Sequence, residues 1–438
     1  MECAILISME ANLLRETVEK NRRGQRAGLY SVCSANELVL RASIRHAASN
    51  SYPLIIESTS NQVNQEGGYT GILPHEFSSW VQKIADEEKL PPGNLVLGGD
   101  HLGPLVWQDE SEKSAMGKAR ELVKAYTLAG YDKIHLDTSM KLANDAPGPL
   151  DPRLCARRGA VLAKMVYETY VSMPARSKRP LLVIGSEVPI PGGSKEHEDN
   201  LTPTKPEDFL MQVSVFRDEF TKEGIDFNDV IAFVVQPGVE FGDDFVFLYD
   251  PEKAAALTAA LKKAPGLAFE GHSTDYQNPR NLAEMVRDGI AILKVGPGLT
   301  FALREGLLLL ESIEEIVSPA ASRSFFRQNL LEAMNSSKKY WEKYYSGNPG
   351  EIEYKKLFSY SDRCRYYLPE PGVQKAIETL IKNINKIPPA LLSQYFPVQY
   401  RKYMEGKLSN DPETILLDRI GDVCNDYAGA CGLLGGRK

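Results

Sequence analysis

Leu95-Val96-Leu97-Gly98-Gly99-Asp100-His101 is an apolar run that ends at two glycines, an aspartate and a histidine. Seven more apolar runs end at polar, acidic or small residues, over residues 30–36, 54–59, 134–137, 182–187, 232–236, 267–272 and 292–296. Most neighbouring runs are separated by a segment with the apolar spacing of a helix. Continuous apolar strands that alternate with helices are typical of a parallel sheet. Eight such units in roughly 300 residues predict an α/β fold of the (β/α)₈ barrel class, whose active sites lie at the carboxyl ends of the strands.

The strand–helix alternation stops near residue 316. We predict a barrel over residues 1–316 and a helical C-terminal extension, packed on the barrel, over residues 317–438. Residues 1–26 are polar and helical in character, which suits a helix that closes the bottom of the barrel. The loop that contains Asn61 and Gln62 is long and carries Gly-Gly and several amides, so we expect it to bind a ligand or cover the site.

The composition excludes several classes of protein. The chain has 438 residues, of which 43% are hydrophobic and 25% charged, and its net charge of −7 argues against nucleic acid or an anionic membrane as partner. The six cysteines form no CxxC pair, which suits reduced thiols. No apolar run approaches the roughly 20 residues of a membrane span, and no secretory signal is evident, so we expect a cytoplasmic protein.

The strand-three motif admits two interpretations. Its glycines let the backbone approach a ligand closely, while Asp100 offers a general acid or base and His101 a metal ligand. The alternative is a turn with a satisfied Asp–His contact, and on this motif alone the two are evenly matched. His272, at the end of strand seven, favours a metal site, because imidazole is a common ligand of divalent transition metals. Glu187, at the end of strand five, is a plausible oxygen ligand or base.

His135 and Asp137 lie two apart on strand four and therefore share one face. We expect Asp137 to point into the barrel mouth and treat His135 as a buried structural histidine.

Lys294 and Gly296 end strand eight and open a helix, where backbone N–H groups can bind an anion. Two alternatives are a tight turn without a ligand and an imine-forming Lys294, since aldol chemistry also runs through lysine imines. Metal ligands around the site argue against the imine.

Arg363 and Arg365 belong to a dense motif, Ser361-Asp362-Arg363-Cys364-Arg365-Tyr366-Tyr367. They could reach over the barrel mouth and bind a sugar hydroxyl or a phosphate. An Arg–Asp structural pair at a domain interface is the slightly favoured alternative.

Several of these motifs together resemble the GatZ/KbaZ family over nearly the whole chain. The motifs are Glu57 to Gln65, Gly67 to Gly71, Gly99 to Pro104, His135 to Met140, Gly185 to Pro189, Gln236 to Gly238, His272 to Gln277, Ser361 to Arg363 and Arg365 to Tyr367. Members of that family are described as the non-catalytic subunit of class II D-tagatose-1,6-bisphosphate aldolase, and sometimes as tagatose-6-phosphate kinase. The chain has no P-loop and no kinase signature, so the kinase label finds no support.

The family is similar in turn to the class II aldolases themselves. The resemblance implies a catalytic role for Asp100, zinc binding by His101 and His272, and substrate contacts by Ser273 and Asp275. Gln236 stands near the place of the third zinc histidine, and Gly296-Pro297-Gly298 replaces the strand-eight phosphate segment. The third ligand is therefore Glu187 or Gln236.

The resemblance implies a metal-dependent ketose or ketose-phosphate 4-epimerase that interconverts fructose-type and tagatose-type sugars by retro-aldol and aldol steps. Its cofactor would be Zn, Mn or Ni, with Asp100, Asp137 and Glu187 handling protons. The alternative is a non-catalytic subunit that stabilises a class II aldolase partner. A third interpretation, aldolase activity by the chain alone, has less support because the third zinc histidine is missing. We also expect a homo-oligomer.

Overall fold

A computed structural model describes residues 13–173, 179–185 and 201–435. Ten strands lie in these ranges: β1 (Leu29–Cys33), β2 (Leu54–Thr59), β3 (Leu95–Leu102), β4 (Lys133–Asp137), β5 (Leu181–Gly185), β6 (Val230–Val235), β7 (Glu240–Phe241), β8 (Val246–Phe247), β9 (Ala268–Gly271) and β10 (Ile290–Val295). All except β7 and β8 form a closed parallel barrel in the order β1-β10-β9-β6-β5-β4-β3-β2. This confirms the predicted (β/α)₈ barrel, and each of the eight quoted apolar runs overlaps a barrel strand. The short antiparallel pair of β7 and β8 was not anticipated.

Fifteen helices are present in the described ranges. They are α1 (Leu13–Arg22), α2 (Glu37–Asn50), α3 (Pro74–Glu87), α4 (Glu112–Leu128), α5 (Pro152–Val171), α6 (Pro206–Lys222), α7 (Pro251–Leu261), α8 (Pro279–Arg287), α9 (Pro297–Val317), α10 (Phe326–Ser336), α11 (Pro349–Phe358), α12 (Pro371–Ile384), α13 (Pro389–Tyr395), α14 (Pro397–Met404) and α15 (Pro412–Ala430). Most begin at a proline, whose fixed φ and missing N–H suit the first helical position. None of the described helices is both long enough and apolar enough to cross a membrane.

The lower half of the barrel interior is apolar. Leu14 and Val18 of α1 pack in one buried cluster with inward-facing strand residues such as Ile55, Val183 and Val234. Helix α1 therefore closes the bottom of the barrel, as the polar and helical character of residues 1–26 predicted. Of the buried interior polar residues, Asp100 and Asp137 lie toward the carboxyl ends of their strands, whereas Lys133 begins β4.

The C-terminal helices pack directly on the barrel. Helix α15 contacts α2, α8, α9 and β1, and Tyr427 in it donates a hydrogen bond to the carbonyl of Thr274, at 2.7 Å. Asp362 is joined to α9 by an ion pair with Arg304 at 2.8 Å and a hydrogen bond from Thr300 at 2.5 Å. Because one apolar core runs from the outer face of the barrel into these helices, the division at residues 316 and 317 stays a prediction.

Candidate active site

A buried ion network fills the barrel interior below the mouth. The Lys133 ammonium lies 2.5 Å from Glu57 Oε1 and 2.7 Å from Glu270 Oε2, and all three side chains are fully buried. Burial lowers the pKa of Lys133, but Glu270 and Glu57 outweigh it and hold that pKa above its ordinary value. Gly98 makes room for this network, since a Cβ there would lie 2.6 Å from the Glu57 carboxyl. The network fixes two carboxylates in a place from which water is excluded.

Lys294 extends this network toward the mouth. Its ammonium contacts Asp100 and lies 3.6 Å from Glu57 Oε2. Burial again lowers the pKa, but the charges of Asp100 and Glu57 outweigh it and raise the pKa of Lys294. A lysine that forms an imine must lose its proton, so these contacts disfavour the imine alternative.

Three histidines share one arrangement, in which a carboxylate lies within hydrogen-bond distance of one ring nitrogen. The pairs are His101 Nδ1 with Asp137 at 2.8 Å, His135 Nδ1 with Asp100 at 2.8 Å, and His272 Nε2 with Glu270 at 3.1 Å. The three ring centroids lie 5.1–5.2 Å from one another. Metal-binding histidines commonly have such a carboxylate on the second nitrogen, because it fixes the ring and its tautomer.

The donor set fits a divalent cation. Ligand atoms of Asp100, His135, Glu270 and His272 all lie within 4.8 Å of one another. His135 Nε2 is buried without a hydrogen-bond partner, which is costly unless something binds it. Burial, followed by the charge of Lys294, lowers the pKa of His272 well below its ordinary value, so its ring is neutral and able to bind a metal at neutral pH.

The charge balance points the same way. Four buried carboxylates in this region face only two ammonium groups: Glu57, Asp100, Asp137 and Glu270 against Lys133 and Lys294. A divalent cation would neutralise the excess.

The backbone of β3 bends so that Asp100 and His101 both reach the cavity. Successive residues of a regular strand point to opposite faces. Here the pairing of β3 with β4 shifts between Gly99 and Leu102, and His101 has a left-handed φ of 49°. Bulges and strained backbone of this kind recur at active sites, where they re-aim side chains.

A cavity of about 90 Å³, open to solvent at its mouth, lies over these groups. Its barrel-side wall includes Asp100, His101, His272 and Lys294. Asn61, Gln62 and Tyr69 line it from the loop after β2, and Arg365 and Tyr366 line it from the C-terminal segment.

Asp275 occupies the strand-eight turn that was expected to bind an anion. Its Oδ1 accepts hydrogen bonds from the backbone N–H groups of Gly296, at 2.9 Å, and Gly298, at 2.7 Å, where α9 begins. Burial nevertheless raises the pKa of Asp275 to about 6. The protein's own carboxyl group thus uses the donors that a phosphate would need.

The other expected site residues are placed as follows. Ser273 lines the cavity, and Asp137 lies below its surface, where it accepts hydrogen bonds from Ser139. Gln236 does not join the histidines, because its amide oxygen accepts from the backbone of Gly238 and Val239. Glu187 lies outside the described residues.

The two arginines of the C-terminal motif separate. Arg365 lines the main cavity and donates a hydrogen bond to the Tyr366 hydroxyl at 3.0 Å. Arg363 lines an adjoining cavity, and its guanidinium carbon lies 3.2 Å from the ring centroid of Tyr344. The structural Arg–Asp pair exists, but Arg304 supplies its guanidinium.

Sequence reasoning did not assign a role to Glu57, Lys133, Glu270 or Tyr366 and took His135 as structural. A signal was available for Glu57 and Glu270, since each is an acidic residue within an apolar run predicted to be a strand. Lys133, His135 and Asp137 alternate along β4, which placed all three on one face. Tyr366 lies within the motif singled out around Arg363 and Arg365, but nothing in that motif separated its role from the roles of the neighbouring residues.

The comparisons with known proteins agree with this architecture. The chain matches, over residues 14–432, the profile of a family described as D-tagatose-1,6-bisphosphate aldolase subunit GatZ/KbaZ-like. It is similar to a crystal structure from Sinorhizobium meliloti 1021 described as a probable tagatose 6 phosphate kinase. The identity is 39%, the TM-score is 0.84, and the match covers 92% of this chain and 100% of that one.

Two aldolase structures are more distant. Fructose-bisphosphate aldolase from Campylobacter jejuni is 14% identical with a TM-score of 0.44, and the match covers 85% of this chain and 91% of that one. The YdjI aldolase from Escherichia coli K12 is 13% identical with a TM-score of 0.40, and the match covers 84% of this chain and 96% of that one. Likenesses this weak carry no argument about the present site.

Proposed function

We propose that this chain, which belongs to the family of GatZ/KbaZ-like subunits of D-tagatose-1,6-bisphosphate aldolase, is itself an enzyme, a metal-dependent ketose 4-epimerase. The observation that carries the proposal is the convergence of three carboxylate-held histidines beneath a cavity at the mouth of the barrel. A purely structural subunit has no use for such a group. Burying these charges and leaving an imidazole nitrogen without a partner costs free energy, and a bound cation would offset that cost.

Fructose and tagatose differ only in configuration at C4. Removal of the C4 hydroxyl proton lets the O–H electron pair form an aldehyde while the C3–C4 bond breaks. The electron pair of that bond remains on the other fragment as an enediolate. If the aldehyde turns over before the bond re-forms, the product is the C4 epimer. One pocket therefore serves cleavage and re-addition.

The cation would be held by His101 and His272, as the resemblance implied, together with groups around them. Donor atoms of His135, Glu270 and Asp100 lie within 4.8 Å of one another and of a ring nitrogen of His272, in a group that does not include His101. Asp137 orients His101 through its Nδ1, while the other ring nitrogen, Nε2, lies 3.6 Å from Asp100 Oδ2. A bound divalent cation supplies Lewis-acid stabilisation of the negative charge that develops on the substrate oxygens.

Asp100 is the proton acceptor on the barrel side. Burial raises the pKa of this carboxyl group, but His101 and Lys294 outweigh it and hold the pKa well below its ordinary range. The group is therefore ionised at neutral pH and borders the cavity. Asn61 and Arg365 line the same cavity and can donate hydrogen bonds to sugar hydroxyl groups.

The test is epimerisation by the purified full chain. D-fructose and D-tagatose, free and as 6-phosphates, are incubated with Mn²⁺, Ni²⁺, Zn²⁺ or a chelator, and the C4 epimer is measured by chromatography. We expect metal-dependent turnover that the His101→Ala/His272→Ala double variant abolishes. His75→Ala is the matched control, because this histidine is exposed at the start of α3. Full activity in the double variant would refute the proposal.

The family description favours a second candidate, a non-catalytic subunit that stabilises a class II aldolase. That role would be established if the chain turned over none of the substrates and if a class II aldolase subunit stayed active for longer in its presence.

A further inference from the structure

Tyr366 lies on the wall of the cavity that the C-terminal segment builds. Its ring stacks on Tyr340, with centroids 4.7 Å apart at 11°, and meets Tyr69 edge-on at 5.0 Å. Its hydroxyl accepts a hydrogen bond from Arg365 Nη2 at 3.0 Å. Packing on both sides and one fixed donor hold the phenol in place, while the residue borders both the main and the adjoining cavity.

The electrostatic surroundings favour ionisation of this phenol. Burial raises the pKa of Tyr366, but the nearby guanidinium groups of Arg365 and Arg363 outweigh it and hold that pKa below its ordinary value. For Tyr69 in the same cavity, burial dominates and raises the pKa. Of these two cavity-lining phenols, Tyr366 is thus the better proton-transfer group near neutral pH.

The groups that face Tyr366 come from several elements. Arg363 and Arg365 belong to its own segment, Tyr69 to the loop after β2, and Tyr340 to the segment after α10. Glu66 and Lys339 line the adjoining cavity, and Cys33, Asp100, His101, His272, Asp275 and Lys294 line the main one. The cations nearest the ring are the two arginines, at 4.5 and 5.9 Å.

The chemistry of C4 epimerisation calls for two proton-transfer groups. When the aldehyde turns over between bond breaking and bond formation, its oxygen moves to a different side of the pocket. The group that removed the proton from one epimer is then no longer beside that oxygen. A second group must therefore lie on another wall, a requirement that simple aldol cleavage does not impose.

We propose that Tyr366 is this second group, which exchanges a proton with the C4 oxygen of one epimer while Asp100 serves the other. The inference rests on the proposed function. In the re-addition step, an electron pair of the enediolate forms the new C3–C4 bond on the opposite face of the aldehyde. The carbonyl π pair moves onto the C4 oxygen, which takes the phenol proton and leaves a phenolate beside Arg365. The proton held by Asp100 returns to the phenolate through solvent before the next turnover.

The test compares Tyr366→Phe with Tyr340→Phe in the full chain with its metal. Both changes keep the stacked rings and remove one hydroxyl. Epimerisation should fall about 10²–10⁴-fold in Tyr366→Phe, the usual contribution of a general acid or base, and stay unchanged in Tyr340→Phe. Cleavage is followed separately with hexacyanoferrate(III), an oxidant that consumes enediolates.

The oxidation assay separates a chemical role from a structural one. The wild type should consume oxidant with either epimer, whereas Tyr366→Phe should do so with one epimer and lose the reaction with the other. Equal loss with both epimers, or loss with neither, would overturn the inference. If the wild type epimerises no ketose, the proposed function itself fails, and this is known before the variant is measured.

Discussion

Replacing Lys133 by methionine tests whether the buried ion network stabilises the barrel. The change removes the ammonium that lies 2.5 Å from Glu57 and 2.7 Å from Glu270. Glu57 keeps Lys294 at 3.6 Å, whereas Glu270 keeps its hydrogen bond with the His272 ring. Breaking a buried ion pair by removing one partner costs about 3–5 kcal/mol, because a buried charge is left uncompensated.

We therefore expect Lys133→Met to lower the free energy of unfolding by about 3–5 kcal/mol at pH 7, because the buried Glu270 carboxylate loses its ammonium partner and keeps its hydrogen bond with the His272 ring.

The assay is urea denaturation at several pH values, followed by tryptophan fluorescence and near-ultraviolet circular dichroism. Lys402→Met is the matched control. Lys402 also sits between two carboxylates, Asp418 at 2.7 Å and Asp422 at 3.0 Å, but it is 36% exposed, so its loss should cost about 1 kcal/mol or less. The double variant Lys133→Met/Glu270→Gln should recover much of the stability, because it removes the uncompensated buried charge. Equal effects of Lys133→Met and Lys402→Met would refute the reasoning.

Three further predictions concern single positions. Asp137→Asn should weaken binding of Mn²⁺ or Zn²⁺ about 10–100-fold in calorimetry by releasing His101, while Gln236→Ala should leave it unchanged; equal losses would contradict the assignment. Because Asp275 has a pKa of about 6 when folded and an ordinary value of 3.8, the folded protein binds a proton that the unfolded chain lacks between these values. Unfolding free energy should therefore fall as pH rises from about 4 to about 6 and level off above that, and Asp275→Asn should remove that part of the slope in urea titrations. Gly98→Ala should cost about 1–3 kcal/mol by displacing Glu57, whereas Gly117→Ala, with open space around its Cβ, should be neutral or stabilising in the same titrations.

The barrel was predictable because the sequence patterns that specify its strands and helices are local. Most of the barrel strands contain a short apolar run, and the alternation of such runs with helices favours a parallel sheet. The pair of β7 and β8 was missed because two-residue strands leave no periodicity to detect.

The position of the site was predictable from the sequence, but the contacts between its residues were not. Asp100, His101 and His272 end their strands, so the barrel topology alone brings them to one face. The contact of Lys133 with Glu57 and Glu270 depends on the stagger of non-adjacent strands, which no single run encodes. Tyr366 reaches the cavity only because Asp362 is bound to Arg304 and Thr300 of α9, a tertiary contact between distant segments.

Tyr69, Arg365 and Tyr366 line the cavity on the side away from the barrel strands, and we call this part of its wall the roof. The roof affects which product leaves the pocket. In the proposed reaction, a ketohexose splits into two three-carbon fragments, and the aldehyde then either escapes or rejoins its partner. A barrel whose mouth is open releases it and performs net cleavage. A roof supplied by the same chain delays escape, so rotation within the pocket can occur first. The C-terminal helices would then set the branching ratio between lysis and stereochemical inversion, without altering any group that we propose to bind a metal.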